Sequence, residues 1–350
     1  MPISRSALRL GSALMTGAVL VAACGSSAKS SGRETETPTP TASPTTTTTS
    51  TVPRIVSVRL AAAVTLGPGA KPDVLLPAFG AVWVEDGDSP NPQVARIDPN
   101  TNKVVASIKT PTAPLSLFQI GPDVWLNAQK AVYRIDPTTN RVSATLSKVA
   151  ITGDADAFVG VGAGSIWFGS RNKLYRVDAQ TQKVVAVIAT PFPAGRANGD
   201  DSMIWLSQAN FSSQGRPTRT TSIARIDPKT NKVVAVVGAP NNDHVRVGSG
   251  GVWVSDRLDS QLYHVDPVTN RVTATIPATL GITIPRFGLG YVWIGGDSAT
   301  SVEQVDPQTN KVVRSIPVPN KANAEAVAIL GKTLWASSYG NGIVYRFDLH

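Results

Sequence analysis

The sequence predicts an all-β fold of seven repeated four-stranded units, and three observations carry that expectation. All seven tryptophans share one local pattern, as in Ala81-Val82-Trp83-Val84 and Gly251-Val252-Trp253-Val254. They stand at Trp83, Trp125, Trp167, Trp205, Trp253, Trp293 and Trp335, at successive spacings of 42, 42, 38, 48, 40 and 42 residues. A turn sequence follows, Arg96-Ile97-Asp98-Pro99-Asn100-Thr101-Asn102-Lys103 in the first repeat, and recurs at Asp136-Pro137, Asp178, Asp227-Pro228, Asp266-Pro267 and Asp306-Pro307. The segments on either side are β-branched, as in Lys103-Val104-Val105-Ala106-Ser107-Ile108. A period near 42 residues with short β-rich segments is the mark of one four-stranded unit per repeat.

Each unit divides into strands A to D. The Trp segment is strand B, and glycines such as Gly248 and Gly288 precede it where an A–B hairpin must turn. Strand C ends at the Asp. Pro then presets φ for the turn and the Asp side chain accepts from its backbone. Asn102, Asn140, Asn231, Asn270 and Asn310 tolerate the left-handed conformation that reverses the chain into strand D. Gly160-Val161-Gly162-Ala163-Gly164 is read as an A–B turn, since no helix follows to make it a dinucleotide loop. The seventh copy stops at Tyr345-Arg346-Phe347-Asp348 without a strand D, whereas Ile55-Val56-Ser57-Val58-Arg59-Leu60 precedes the first strand A and has strand-D character. Pairing the two hides both open edges. The expectation is therefore a seven-bladed β-propeller over residues 55–350, its ring closed by an N-terminal strand. An open solenoid and a six-bladed ring are the alternatives.

The Val-Trp-Val…Arg-Ile-Asp-Pro-x-Thr-Asn-Lys-Val-Val-Ala pattern resembles the YVTN-type β-propeller repeat family. The third copy departs from it, with Ala179 for Pro and Gln182 for Asn. The resemblance implies a seven-bladed propeller, often secreted or surface-attached. It implies no single activity, because fold does not fix function.

The N-terminus reads as an address. Arg5 and Arg9 precede an apolar run from Leu10 to Ala23, too short to span a bilayer. The break Val21-Ala22-Ala23-Cys24-Gly25 resembles the bacterial lipobox, and Cys24 is the only cysteine of the chain. The expectation is a signal peptide over 1–23 and a diacylated Cys24 holding the chain to the membrane's outer side, where two acyl chains anchor stably. An ordinary secretory signal is the alternative. Residues 24–54, rich in Ser, Thr and Pro, read as a disordered tether.

Composition excludes several classes. One Cys rules out a disulfide framework and a Cys-based zinc site, and three His leave little for a His-metal cluster. There is no P-loop, His-Glu-x-x-His or Gly-x-Ser-x-Gly, and no cofactor or metal is expected. The formal charge of +9 favours anionic partners. Few aromatics are free to stack bases, which argues against nucleic acid. The expected partners are the membrane, through Cys24, and a protein, glycan or small anion, with the chain itself a monomer.

The repeated Asp-Pro turns read as architecture. The opposite face, formed by D–A connections and B–C loops, varies and is the better place for function. Two B–C loops there are long: Glu85 to Gln93, and Gln208 to Thr221 with Phe211, Gln214, Arg216 and Arg219. Reading backward from each Trp places Asp73, Ser116, Arg196, Asp243, His244, Arg246, Arg286 and Glu325 near the channel mouth. Arg196, Arg246 and Arg286 come from three consecutive repeats, and guanidinium forks suit carboxylate or phosphate. The ligand-binding candidates are Arg196, Asp243, His244, Arg246 and Arg286, with inter-blade salt bridges as the alternative. His244 beside Asp243 is the one candidate base for a hydrolase or lyase, and Asp86, Asp88 and Asp256 are candidates for a divalent cation.

Overall fold

The computed structural model describes residues 55–209 and 219–350. The signal segment, Cys24, the tether and Phe211, Gln214 and Arg216 lie outside the described residues.

Strand β1 (Val58–Thr65) opens the described chain. The first repeat forms β2 (Val74–Ala78), β3 (Ala81–Asp86), β4 (Gln93–Asp98) and β5 (Lys103–Ile108), and the second β6 (Pro114–Ile120), β7 (Asp123–Ala128), β8 (Ala131–Asp136) and β9 (Arg141–Ser147). A five-residue helix α1 (Lys148–Thr152) follows. The third repeat forms β10 (Phe158–Gly162), β11 (Ser165–Ser170), β12 (Lys173–Asp178) and β13 (Val184–Ala189); the fourth β14 (Ala194–Gly199), β15 (Ile204–Gln208), β16 (Ser222–Asp227) and β17 (Lys232–Gly238). The fifth forms β18 (Asn242–Gly248), β19 (Gly251–Asp256), β20 (Gln261–Asp266) and β21 (Arg271–Pro277); the sixth β22 (Arg286–Gly288), β23 (Tyr291–Ile294), β24 (Ser301–Asp306) and β25 (Lys311–Pro317). The seventh supplies β26 (Val327–Leu330), β27 (Thr333–Ser338) and β28 (Ile343–Leu349). Within each repeat consecutive strands pair antiparallel, so strands A to D fall where the Trp and Asp-Pro markers put them. β1 pairs antiparallel with β28, from Val58 opposite Leu349 to Thr65 opposite Ile343.

The sheets are five of four strands and one of eight, not seven separate four-stranded sheets. In the eight-stranded sheet, β10 and β14 meet in a parallel pair at Val161 and Asn198. Glycine makes that approach feasible: a Cβ on Gly160 would lie 1.8 Å from the Ala197 carbonyl oxygen, and one on Gly162 2.8 Å from that of Gly199. Gly160–Gly162 is accordingly strand, and only Ala163 and Gly164, both at positive φ, make the expected turn.

The A strands of successive repeats contact one another, and β2 of the first repeat also contacts β26 of the seventh. These strands therefore surround a shared axis. The B-strand tryptophans pack between sheets and are all at most 1% exposed. Burying a side chain of that size contributes about 4–6 kcal/mol before entropy.

The repeated turn has a physical explanation. In every repeat the residue opposite the Trp on strand C is at one register position: Arg96 opposite Trp83, Arg176 opposite Trp167, Arg225 opposite Trp205, His264 opposite Trp253 and Arg346 opposite Trp335. Arg96 and Arg176 lie over their indoles at 5.1 and 5.2 Å, and His264 stacks on Trp253 at 4.1 Å. Each of these C-strand side chains then reaches the Asp-Pro-x-Thr-Asn turn of the next repeat. Arg96 donates to Asn140 Oδ1 at 3.0 Å, Arg176 to Asn231 Oδ1 at 3.0 Å and Arg225 to Asn270 Oδ1 at 3.3 Å, while His264 Nδ1 lies 2.7 Å from Asn310 Oδ1. These Asn residues sit at φ 54 to 56°, the left-handed region in which a short amide is tolerated. The latch is missing where the third turn carries Ala179 and Gln182, and Arg134 pairs instead with Asp123 of its own repeat at 3.0 Å.

Candidate functional site

The candidate residues lie on the A strands, nearest the axis. Arg196 is on β14, Asp243, His244 and Arg246 are on β18, and Arg286 opens β22. Two of these strands are irregular at the relevant point. The β18–β19 register shifts between Asn242 and His244, and the β14–β15 register between Ala194 and Ala197. A bulge re-aims side chains locally, and at β18 it brings the adjacent Asp243 and His244 together.

The backbone here is propped from strand B. Ser207 Oγ accepts from the Arg196 N–H at 3.0 Å, Ser255 Oγ from the His244 N–H at 3.3 Å and Ser337 Oγ from the Ala326 N–H at 3.0 Å. All three serines are buried and stand two residues after their Trp. Nothing in the sequence reading used them, although Trp-x-Ser in the fourth, fifth and seventh repeats was a signal for them.

His244 Nδ1 lies 3.2 Å from Asp243 Oδ2, and Arg196 lies 3.5 Å from Asp243 Oδ1. Burial opposes ionisation of Asp243, but His244, Arg196 and Arg257 outweigh it and hold the carboxyl well below the usual range. Burial pushes His244 down to about 4 against the pull of Asp243, so the imidazole is neutral at pH 7.

Arg246 and Arg286 differ from Arg196 in having no ion pair among the described residues. Arg246 donates to the Val245 carbonyl at 3.1 Å. Arg286 Nη2 reaches the first repeat and donates to the Leu75 carbonyl at 2.9 Å, while its buried Nε has no hydrogen-bond partner among the described residues. Burial, with Arg286 and Arg196 adding repulsion, brings Arg246 down to about 9, and burial brings Arg286 down to about 10. Both remain cationic at neutral pH.

The remaining candidates make contacts of their own. Ser116 accepts from Asn127 within the second repeat, and Glu325 from Asn323 in the seventh. Asp73 precedes β2, its N–H bonded to the Glu85 carbonyl. Glu85 and Asp86 end β3 rather than opening a loop, and Asp86 is engaged by the Lys71 N–H and Gln93. Asp88 accepts from Tyr339, and Asp256 from Tyr263 and the Asp259 N–H. Among the described residues no group of three or more His, Cys, Asp and Glu is placed to hold a metal. Arg219 lies 3.7 Å from Asp259 at the surface.

Two further charged groups were not singled out from sequence. Arg257, just after β19, pairs with Asp297 of the sixth repeat; burial opposes its charge, but Asp297, Asp243 and Glu325 prevail and raise its pKa. Lys148 of α1 is 2% exposed. Burial lowers it to about 8, with Asp156 and Asp154 pulling the other way and Arg196 adding to the fall. Neither residue recurs in the repeat pattern, so periodicity held no signal for them.

The fold is that of a β-propeller with four-stranded blades. Among solved structures, the virginiamycin B lyase of Staphylococcus aureus matches with a TM-score of 0.66 at 16% identity, over 84% of this chain and 100% of that one. A streptogramin B lyase matches with 0.64 at 14% identity, over 84% and 98%. The WD40 propeller domain of Doa1 matches with 0.63 at 13% identity, over 84% and 97%. No protein-family model and no curated relative matches the chain. At these identities the likeness shows the fold alone.

Proposed function

We infer that this chain is a propeller binding module that uses the channel-mouth face for an anionic ligand. The observation that carries the reading is Arg246 near Arg286, two guanidinium groups with no ion pair among the described residues. Arg257, by contrast, ends on Asp297, and the arginines that latch the repeats end on the Asn of a neighbouring turn. Two like charges without an ion-pair partner are disfavoured unless something else neutralises them. The eight-stranded sheet counts as two blades joined by one parallel pair, which gives seven blades of YVTN type with β1 as the closing strand. Propeller neighbours include a WD40 domain, and a protein or glycan bearing the anion suits the same face. The module is a monomer held to the outer side of the cell membrane by lipidated Cys24 and the tether.

The test is a thermal-shift screen of anionic metabolites, glycans and peptides, since a ligand bound only by the native state raises apparent stability. Hits are then titrated against Arg246→Gln/Arg286→Gln at low and high salt. A functional site loses affinity on substitution without losing fold and weakens with salt. A lower melting temperature with no hit for wild type would make these arginines fasteners. The anchor is tested apart: Cys24→Ala moves the protein out of the membrane fraction, and unchanged fractionation refutes lipidation.

A second reading, an extracytoplasmic hydrolase or lyase, is favoured by the neutral His244 oriented by Asp243, an arrangement suited to a general base. Two of the structural neighbours are named as lyases. Loss of a detected eliminating or hydrolytic activity in His244→Ala, with the fold kept, is its test.

A further inference from the structure

We propose that Lys148 is a carbonyl-binding amine, whose Nζ forms an imine with an aldehyde entering beside α1. The inference stands apart from the anion-binding reading and starts from the repeat. In the second to sixth repeats, one backbone N–H just past strand D donates to the carbonyl of the residue before strand C. The pairs are Lys148 to Lys130 at 3.2 Å, Thr190 to Asn172 at 3.1 Å, Ala239 to Thr221 at 3.0 Å, Ala278 to Ser260 at 2.9 Å and Val318 to Thr300 at 2.9 Å. These five residues therefore occupy one slot of the fold. Four of them are Thr, Ala, Ala and Val, small side chains without charge. Thr190, Ala239 and Val318 are buried there. Packing in this slot needs nothing larger than Val, and of the five repeats only the second fills it with an amine.

The setting suits a nucleophile. Lysine is seldom fully buried, yet Lys148 is 2% exposed, on a helix packed against β9 and β11. The charged groups acting on it are Asp156, Arg196 and Asp154. Asp154 is fixed in place, its Oδ2 accepting from Ser170 Oγ at 2.8 Å and its Oδ1 from the Asp156 N–H at 2.9 Å. Burial outweighs both acids and brings the ammonium down to about 8. At pH 7 roughly one molecule in ten then carries the free amine, against roughly one in 2,500 for an ordinary lysine. Desolvated lysines of this kind form Schiff bases. In the step, the Nζ lone pair forms the C–N bond as the carbonyl π bond breaks, and a proton passes from Nζ to the oxygen, giving a carbinolamine. Solvent protonates that hydroxyl, which leaves as water while the nitrogen lone pair forms C=N. The remaining N–H proton returns to solvent, and no oxidant or reductant is consumed.

The experiment uses the full chain and follows each lysine by peptide mass spectrometry. Acetaldehyde at pH 7 with cyanoborohydride, which delivers hydride to the imine carbon, fixes the adduct as an ethylamine. Lys148 is expected to be ethylated at least about tenfold faster than Lys103, Lys173 and Lys232, although those three are exposed. Trace acetic anhydride from pH 6 to pH 11 then titrates each amine: Lys148 becomes half-reactive near pH 8, the exposed three near ~10.4. Lys148→Arg is expected to abolish the fast adduct and to leave labelling of the exposed three unchanged. Should that variant fail to fold by circular dichroism, the wild-type rates and titration still decide. A Lys148 that neither reagent labels overturns the proposal and makes the residue a filler of its slot. A Lys148 acetylated with a midpoint near pH 8 but ethylated no faster than the exposed lysines overturns the carbonyl site, as does a midpoint matching theirs.

Discussion

Arg346 Nη1 donates to Asn102 Oδ1 at 2.9 Å, joining residues 244 apart in the chain. Its guanidinium lies over Trp335 at 5.7 Å, and its other Nη lies 3.1 Å from Asp348. The same contact recurs between lower-numbered repeats, but here it ties the seventh repeat to the turn of the first. One side chain thus packs on its own blade's tryptophan, caps a left-handed turn and holds two blades in register.

Arg346→Ala is therefore expected to cost about 2–4 kcal/mol, from a charge-assisted hydrogen bond and a cation–π contact. Arg134→Ala, where the latch is missing, removes only an ion pair within one repeat and should cost about 1 kcal/mol or less. Urea denaturation of the two variants measures the difference, and equal costs would deny the latch its role.

The β1–β28 pairing leads to a deletion test. Removing 55–65 strips β28 of its outer partner and opens its edge, so early melting and aggregation are expected. Removing 25–50 should leave the melting temperature unchanged. Scanning calorimetry decides, and equal melting of the two truncations would count against a closing strand.

Gly160→Val places a branched side chain where a Cβ already meets Ala197 backbone at 1.8 Å. Backbone cannot yield as a flexible side chain does, so β10 and β14 must part. A destabilisation above about 3 kcal/mol is expected, against less than about 1 kcal/mol for Gly238→Ala, where the space is open. Chemical denaturation of the pair checks this.

Stability should rise with pH in two windows. His244 is held at about 4 in the native state against an ordinary value near ~6.5, so between these the unfolded chain binds the extra proton. Lys148, held at about 8 against an ordinary value of ~10.4, does the same at higher pH. His244→Gln should flatten the acid limb and Lys148→Met the alkaline one. Lys148→Met should also stabilise the protein at pH 7 by about 1–3 kcal/mol, at ~1.4 kcal/mol per pH unit. Melting temperatures from pH 4 to pH 10.5 test both; limbs unchanged in the variants would assign the slopes to other groups.

The sequence by itself determined the strand plan. Seven Trp segments, their Asp-Pro turns and β-branched flanks specify A, B, C and D strands because strand period, turn chemistry and burial are all local properties. The strand character of residues 58–60, ahead of the first repeat, was legible for the same reason. Only the tertiary structure decided what those strands do to one another. The parallel meeting of β10 and β14 depends on how closely two backbones approach, a distance that Gly160 and Gly162 permit but do not announce. The turn-capping role of Arg96 and its equivalents depends on a neighbour some 40 residues away. The bulge that aims Asp243 and His244 together, the burial of Lys148 and the reach of Arg286 to Leu75 arise the same way. Charge neutralisation and hydrogen-bond satisfaction are set by which groups share a volume, and chain order does not carry that information.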